Sequence, residues 1–225
     1  MINRPDSPHW HRDNYAGRTV DLHAGPATAV AATLTAARVH PAAALAIATA
    51  GACGAYDDIA GATDPRRGFR AHLSALRGGE VTSGAVKLFG ISAAGLVAGA
   101  MLKEKALDKI LAGVVIAGAA HFVNLVDVRP GRAAAAVIGL GVPGMLRKGP
   151  GGELAAAAVG AAAAVLPDDL GERSMLGDTG AHTLGAALGA AVVAGNGRAG
   201  LVAHAVAVVA AAVYGDQVTE AARSL

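Results

Sequence analysis

Residues 153–167, ELAAAAVGAAAAVLP, and 200–215, GLVAHAVAVVAAAVYG, hold one acid and one histidine between them. A helix on the surface of a soluble bundle carries Glu, Lys or Arg every third or fourth residue along its outer face. Neither stretch has such a face, so both read as helices that meet lipid. Counted along the chain, the apolar segments number eight: 25–38, 41–56, 84–102, 107–127, 131–146, 151–167, 178–195 and 199–214. Each lies near the roughly 20 residues that cross a hydrocarbon core of about 30 Å, several a little short. The fold expected is all-α, a polytopic integral membrane helical bundle with about eight transmembrane helices. A polar cytoplasmic segment at 1–24 precedes a single transmembrane domain over 25–225, with a cytoplasmic loop at 57–83.

Composition agrees. Of 225 residues, 53% are hydrophobic and only 16% charged, leaving an alanine-rich soluble bundle as the other class. A net charge of +2, carried by dispersed residues, excludes nucleic-acid binding by charge. Cys53 is the one cysteine, so no internal disulfide forms, and its apolar surroundings assign it to packing. The first 24 residues lack the zones of a signal peptide, and no cleavage is expected. Aromatics at 3% give almost no interfacial belt. Close helix packing compensates through small residues such as Ala181, Gly185 and Gly189.

Eight alternating segments, with the amino terminus inside, bring three acidic motifs to the cytoplasmic face. The second segment ends at Asp57 and Asp58; the fourth ends in HFVNLVDVRPGRA, residues 121–133; the seventh begins with GDTGAHTLG, residues 177–185. Twelve of the nineteen lysines and arginines then fall inside, as the positive-inside rule requires.

Each motif admits a structural and a chemical reading. Asp57 and Asp58 are either a solvated helix end or oxygen ligands for a hard cation such as Mg²⁺. Asn124 and Asp127, three apart, share a helix face beside Arg129 and Arg132, with Pro130 placed to open the next helix. They make either a capped turn or a phosphate-plus-metal site. Asp178 is an N-cap, a ligand, or both, and His182 reads as a packed, hydrogen-bonded side chain. The inner loop brings Arg66, Arg67, Arg70, His72, Arg77 and Lys87 near the aspartates, to meet anionic headgroups or to hold phosphates. Residues 168–173, DDLGER, read as a solvated loop after a helix ended by Pro167.

Together and in this order, GAYDDIAG (54–61), NLVDVRPGRA (124–133) and GDTGAHTLGAALG (177–189) resemble the motifs of the polyprenyl-phosphate N-acetylhexosamine-1-phosphate transferases, from about residue 14 onward. The resemblance implies a multi-pass protein of the cell inner (cytoplasmic) membrane. Such a protein moves a sugar-1-phosphate from a UDP-sugar to a polyprenyl phosphate with Mg²⁺, releasing UMP, in cell-envelope glycan biosynthesis. It implies catalytic roles for Asp57, Asp58 and Asp127, and metal ligation by Asp178 and Asp58. Substrate binding falls to Asn124, Arg66, Arg67, Arg70, Lys87, Arg129 and Arg132. Polyprenyl phosphate, UDP-sugar and the membrane are the partners implied, and a homodimer is compatible. The chain departs from the family pattern at His121, Val128, Pro130 and Ala181, and it ends at Leu225 without the family's histidine-bearing loop. These departures suit the alternative, a catalytically lapsed member that binds lipid phosphate as a membrane scaffold or regulator.

Overall fold

The computed structural model describes residues 10–62, 64, 66 and 68–224. A hairpin of β1 (His11–Asp13) and β2 (Thr19–Asp21) leads into α1 (Ala24–Val39), α2 (Pro41–Ala60), α3 (Phe69–Arg77), α4 (Ser83–Leu102) and α5 (Ala106–Val126). Then follow α6 (Arg132–Met145), α7 (Pro150–Leu170), α8 (Gly177–Gly195), α9 (Arg198–Val213) and α10 (Gly215–Ser224). Eight of these helices coincide, within a few residues, with the eight apolar segments.

The protein is all-α apart from the hairpin, and α4, α5 and α7 are long and apolar enough to cross a membrane. A fourth candidate arises if α9 and α10, bent by 85° at Tyr214, are one broken span. Length explains part of the shortfall from eight: α1, α6 and α9 have 16, 14 and 16 residues. At 1.5 Å per residue they reach only about 21 to 24 Å. In α8 the limit is composition, since its first turns carry Asp178, Thr179, His182 and Thr183.

That composition fits its position. Every residue of α8 from Thr179 to Ala191 is buried, so this helix is the axis around which α1, α2, α5, α6 and α7 pack. The small-residue face foreseen in the sequence is what lets α5 approach. A Cβ on Gly185 would lie 2.4 Å from the Ala119 carbonyl oxygen, and one on Gly189 would lie 2.8 Å from Ile116 Cα. The outer helices are apolar on their open side as well. In α9, Leu201 and Ala205 face inward, while Val202, Val206, Val209 and Val213 form an exposed stripe. Apolar residues on both sides are what helices in contact with lipid carry.

Several local expectations are corrected. Asp57 and Asp58 lie within α2, which continues to Ala60, and the expected loop 57–83 contains the amphipathic helix α3. The polar segment 1–24 folds, over its described part, into the hairpin. Asn14 closes its turn by accepting from Ala16 N and Arg18 N, with Gly17 at φ +73°. Pro167 does not end α7, which runs on to Leu170; a proline in the last turn forfeits only one helical bond. Residues 168–173 are a solvated loop only in part: Asp168, Leu170, Gly171 and Arg173 are exposed, but 168–170 belong to α7. Asp169 is buried, accepting from Gly131 N at 2.7 Å, and Glu172 accepts from Asn14 and pairs with Arg18 of the hairpin. Pro130 does not open α6; Gly131, in the left-handed region, precedes its first residue, Arg132.

The helices alternate in direction and sort the polar residues to two ends. One end is tied by Arg198 to Asp108 at 2.6 Å and by Lys103 Nζ to the Asn196 carbonyl at 2.9 Å. The other gathers the hairpin, α3 and all three acidic motifs.

Candidate functional site

Successive helical residues point about 100° apart, so Asp57 and Asp58 serve different neighbours. Asp58 faces α8. That helix begins without a side-chain cap of its own, because Leu176 occupies the N-cap position and Asp178 lies inside the first turn. Asp58 supplies the missing cap from across the bundle. Its Oδ1 accepts from Asp178 N at 3.0 Å, and its Oδ2 accepts from Thr179 N at 2.9 Å and Thr179 Oγ1 at 2.6 Å. A carboxylate on these orphan amides also meets the positive end of the helix dipole. Gly54 makes the approach feasible, since a Cβ there would sit 2.4 Å from the Asp178 carbonyl oxygen.

Asp57 faces α4. Lys87 Nζ, one turn into that helix, donates to Asp57 Oδ2 at 2.6 Å and also to Asp178 Oδ2. Two of the four motif aspartates therefore share one ammonium, and a third, Asp58, fixes the helix that carries one of them. Around this knot lies a polar cavity of about 380 Å³, lined also by Arg12, Asp64, Arg66, His72, Ser83 and Asn124. Arg66 donates to Asp64 at 2.8 Å and to Glu80 at 2.8 Å, and those bonds hold both carboxyls below their usual range.

A second cavity of about 170 Å³ lies between α4 and α5, where Leu88, Ile91, Ala117 and Leu125 give it an apolar wall. It shares Gly68, His72, Lys87 and Asn124 with the polar cavity, and His121 and His182 also line it. His182 is 1% exposed and donates from Nδ1 to the Asp178 carbonyl at 2.8 Å, the packed, bonded histidine expected.

Asp127 is placed elsewhere. The shared face with Asn124 fails because α5 stops at Val126, and Asp127, at φ −80° and ψ 62°, turns out of the helix. Asn124 lines the polar cavity, whereas Asp127 and Arg129 line a separate pocket of about 150 Å³ with Asp169, Glu172 and Tyr15. Burial, and after it the like charge of Asp169, pushes the Asp127 carboxyl well above its usual range. The Arg129 guanidinium lies 4.4 Å from the centre of the Tyr15 ring. Arg132 opens α6 with its Nε buried and without a hydrogen-bond partner among the described residues. Arg67 lies outside the described residues; Arg70 lies in α3, but its side chain is outside what is described.

Among the described residues no group of three or more His, Cys, Asp or Glu side chains encloses a metal. The carboxylates of Asp57 and Asp178 do converge on one cationic position, the one Lys87 Nζ takes. Two carboxylates, with substrate phosphates and waters for the rest, are a donor set suited to Mg²⁺. Asp58, with both oxygens already bonded, suits it less. Sequence reasoning missed Arg12, Ser83 and the separate duties of the paired aspartates. Arg12 carried a signal, the strand alternation around Val20. Compared with protein families, with curated proteins and with solved structures, the chain matches none.

Proposed function

We propose that the protein is a membrane transferase that moves a sugar-1-phosphate from a UDP-sugar to a polyprenyl phosphate at the cytoplasmic face of the inner membrane. On this reading all eight long helices cross the bilayer, the shorter ones within a locally thinned core. The observation that carries the proposal is the junction at Lys87 and Asn124. There a polar cavity holding Asp57, Asp178 and Arg66 meets an apolar cavity between two candidate spans. An amphiphile with a phosphate head and a hydrocarbon tail fits that junction.

An oxygen of the lipid phosphate attacks the β-phosphorus of the donor; the bond from that phosphorus to the bridging oxygen breaks, and UMP leaves with the electron pair. Asp57 and Asp178 would hold Mg²⁺, which when bound neutralises the diphosphate and stabilises the departing UMP. Lys87 shifts its ammonium from the carboxylates to the incoming phosphates. Asn124 orients the lipid phosphate where the cavities meet. Asp58 keeps α8, and hence Asp178, in register. Asp127 acts on the neighbouring pocket, away from the transferred group.

One observation favours the alternative of a non-catalytic binder of lipid phosphate: Lys87 already neutralises the acid pair. Purified protein in detergent, given undecaprenyl phosphate, Mg²⁺ and a panel of UDP-N-acetylhexosamines, separates the two. UMP release that needs the lipid and disappears in Asp178→Asn supports the transferase. Folded protein that binds the lipid but releases no UMP with any donor is the scaffold.

A further inference from the structure

The hairpin reaches the site from outside the three acidic motifs, and its register decides where its side chains go. His11 pairs with Asp21, Arg12 with Val20 and Asp13 with Thr19. Paired residues on neighbouring strands share a face of the sheet. Thr19 and Asp13 are exposed and bonded to each other at 2.8 Å, whereas Val20 is buried. Arg12 goes inward with Val20 and reaches the wall of the polar cavity.

There it is incompletely satisfied. Arg12 Nη1 donates to the His11 carbonyl at 2.7 Å, while Nη2 is buried with no hydrogen-bond partner among the described residues. A buried donor left unpaired destabilises the fold that holds it, and the neighbouring cations are not in that condition. Lys87 is committed to Asp57 and Asp178, and Arg66 to Asp64 and Glu80. Nor is the hairpin loose. Met175 N donates to the Asp21 carbonyl at 2.8 Å, Ser174 Oγ donates to Asp21 Oδ1 at 2.5 Å, and Glu172 takes Asn14 and Arg18. The guanidinium is thus presented to the cavity on a strand fixed to the start of α8.

We propose that this hairpin belongs to the binding site and that Arg12 is its recognition group for the diphosphate of the water-soluble donor. The inference rests on the transferase reading for its ligand and extends it to an element outside the three motifs. Arginine suits the task because its planar fork takes two phosphate oxygens at once. The donor is favoured over the lipid because Arg12 lines the polar cavity, while the residues shared with the apolar one are Gly68, His72, Lys87 and Asn124.

Equilibrium dialysis with labelled pyrophosphate and Mg²⁺, on detergent-purified protein, tests it. Fluorescence of Trp10, the single tryptophan, two residues from Arg12 and stacked on His23, reports the same site. Arg12→Gln is expected to weaken pyrophosphate at least tenfold, Arg12→Lys to fall between, and Arg38→Gln, at the far end of α1, to bind as the parent. Helical circular dichroism establishes that each variant is folded. Parent protein that does not bind pyrophosphate, or Arg12→Gln that binds it unchanged, overturns the inference. Labelled farnesyl phosphate, dialysed in parallel, is the lipid-phosphate probe, and a loss confined to it also overturns the inference by assigning Arg12 to the lipid. If Arg12→Gln loses pyrophosphate but the parent releases no UMP, the anion site stands and the transferase reading falls. If UMP release proceeds at parental KM for the donor in Arg12→Gln, the assignment of Arg12 falls alone.

Discussion

Replacing Asp58 by alanine removes a cap that α8 does not supply for itself. Three donors lose their acceptor: the amides of Asp178 and Thr179 and the Thr179 hydroxyl, on a residue only 2% exposed. The hydroxyl can rotate to another acceptor; the amides cannot. Each orphaned buried amide costs about 1 to 3 kcal/mol, and loss of a helix cap about 1 to 2 kcal/mol, overlapping contributions that together come to roughly 3 to 5 kcal/mol. In a domain of this size each kcal/mol moves Tm by about 2 to 4 °C, so Asp58→Ala should melt about 6 to 20 °C lower. Asp58→Asn, which keeps one carbonyl acceptor, should fall about half as far. Asp57→Asn is the internal control, one residue away. Lys87 keeps Asp178 and gains an amide oxygen, so its Tm should stay within about 4 °C of the parent. The assay is built in, because Cys53, the single cysteine, is only partly exposed and packs on Gly90 of α4. A dye that fluoresces on reacting with thiols reports its exposure as the bundle opens in detergent. If Asp58→Ala melts with the parent, or Asp57→Asn falls as far as Asp58→Ala, the division of labour between the two aspartates is wrong.

Lys87→Met leaves the Asp57 and Asp178 carboxylates facing each other without their cation, a change worth about 3 to 5 kcal/mol. Millimolar Mg²⁺ should recover more of the lost Tm in this variant than it adds to the parent, as thiol-exposure melts would show. Asp127 carries a raised pKa in the folded protein, so its contribution to stability is complete at acid pH and is lost as pH rises through that value. Asp127→Asn should therefore melt higher than the parent at pH 8, and the difference should close toward pH 4. For the membrane topology, single cysteines placed at Tyr15 and at Leu146 in a Cys53→Ala background sit at opposite ends of the bundle, both exposed. An impermeant maleimide should label them from opposite sides of sealed vesicles.

What could be read in the sequence was whatever depends on local chemistry alone. An unbroken run such as AAAAVGAAAAV has one way to satisfy its backbone and no face for water, so all eight long helices were visible within a few residues. The small-residue face of α8 was visible too, because spacing by four places Ala181, Gly185 and Gly189 on one side. The short amphipathic helices α3 and α10 escaped because a search for apolar runs passes over FRAHLSALR and GDQVTEAARS, whose apolar residues are one face in three. Convergence of the acidic motifs followed from counting crossings. Their distribution did not, since Asp57 and Asp58 differ only in which helix lies beside each, a tertiary fact. Asp127 was misplaced by one residue of helix: had α5 continued a single position further, it would have shared a face with Asn124. Pro167 misled for a related reason, being too near the end of α7 to stop it.

A transferase of this kind moves the sugar together with its phosphate, so the fate of each donor phosphorus distinguishes it from any enzyme that moves the sugar alone. Two preparations of UDP-N-acetylhexosamine, one labelled with ³²P at the β-phosphorus and one at the α-phosphorus, are incubated with the purified protein, Mg²⁺ and undecaprenyl phosphate and then extracted into organic solvent. β-Label should enter the organic phase while α-label is released into water as UMP, and Asp178→Asn should leave both labels in the intact donor. Label that remains entirely in the aqueous donor with folded, lipid-binding protein would contradict the proposal, as would α-label appearing as UDP beside an unlabelled lipid.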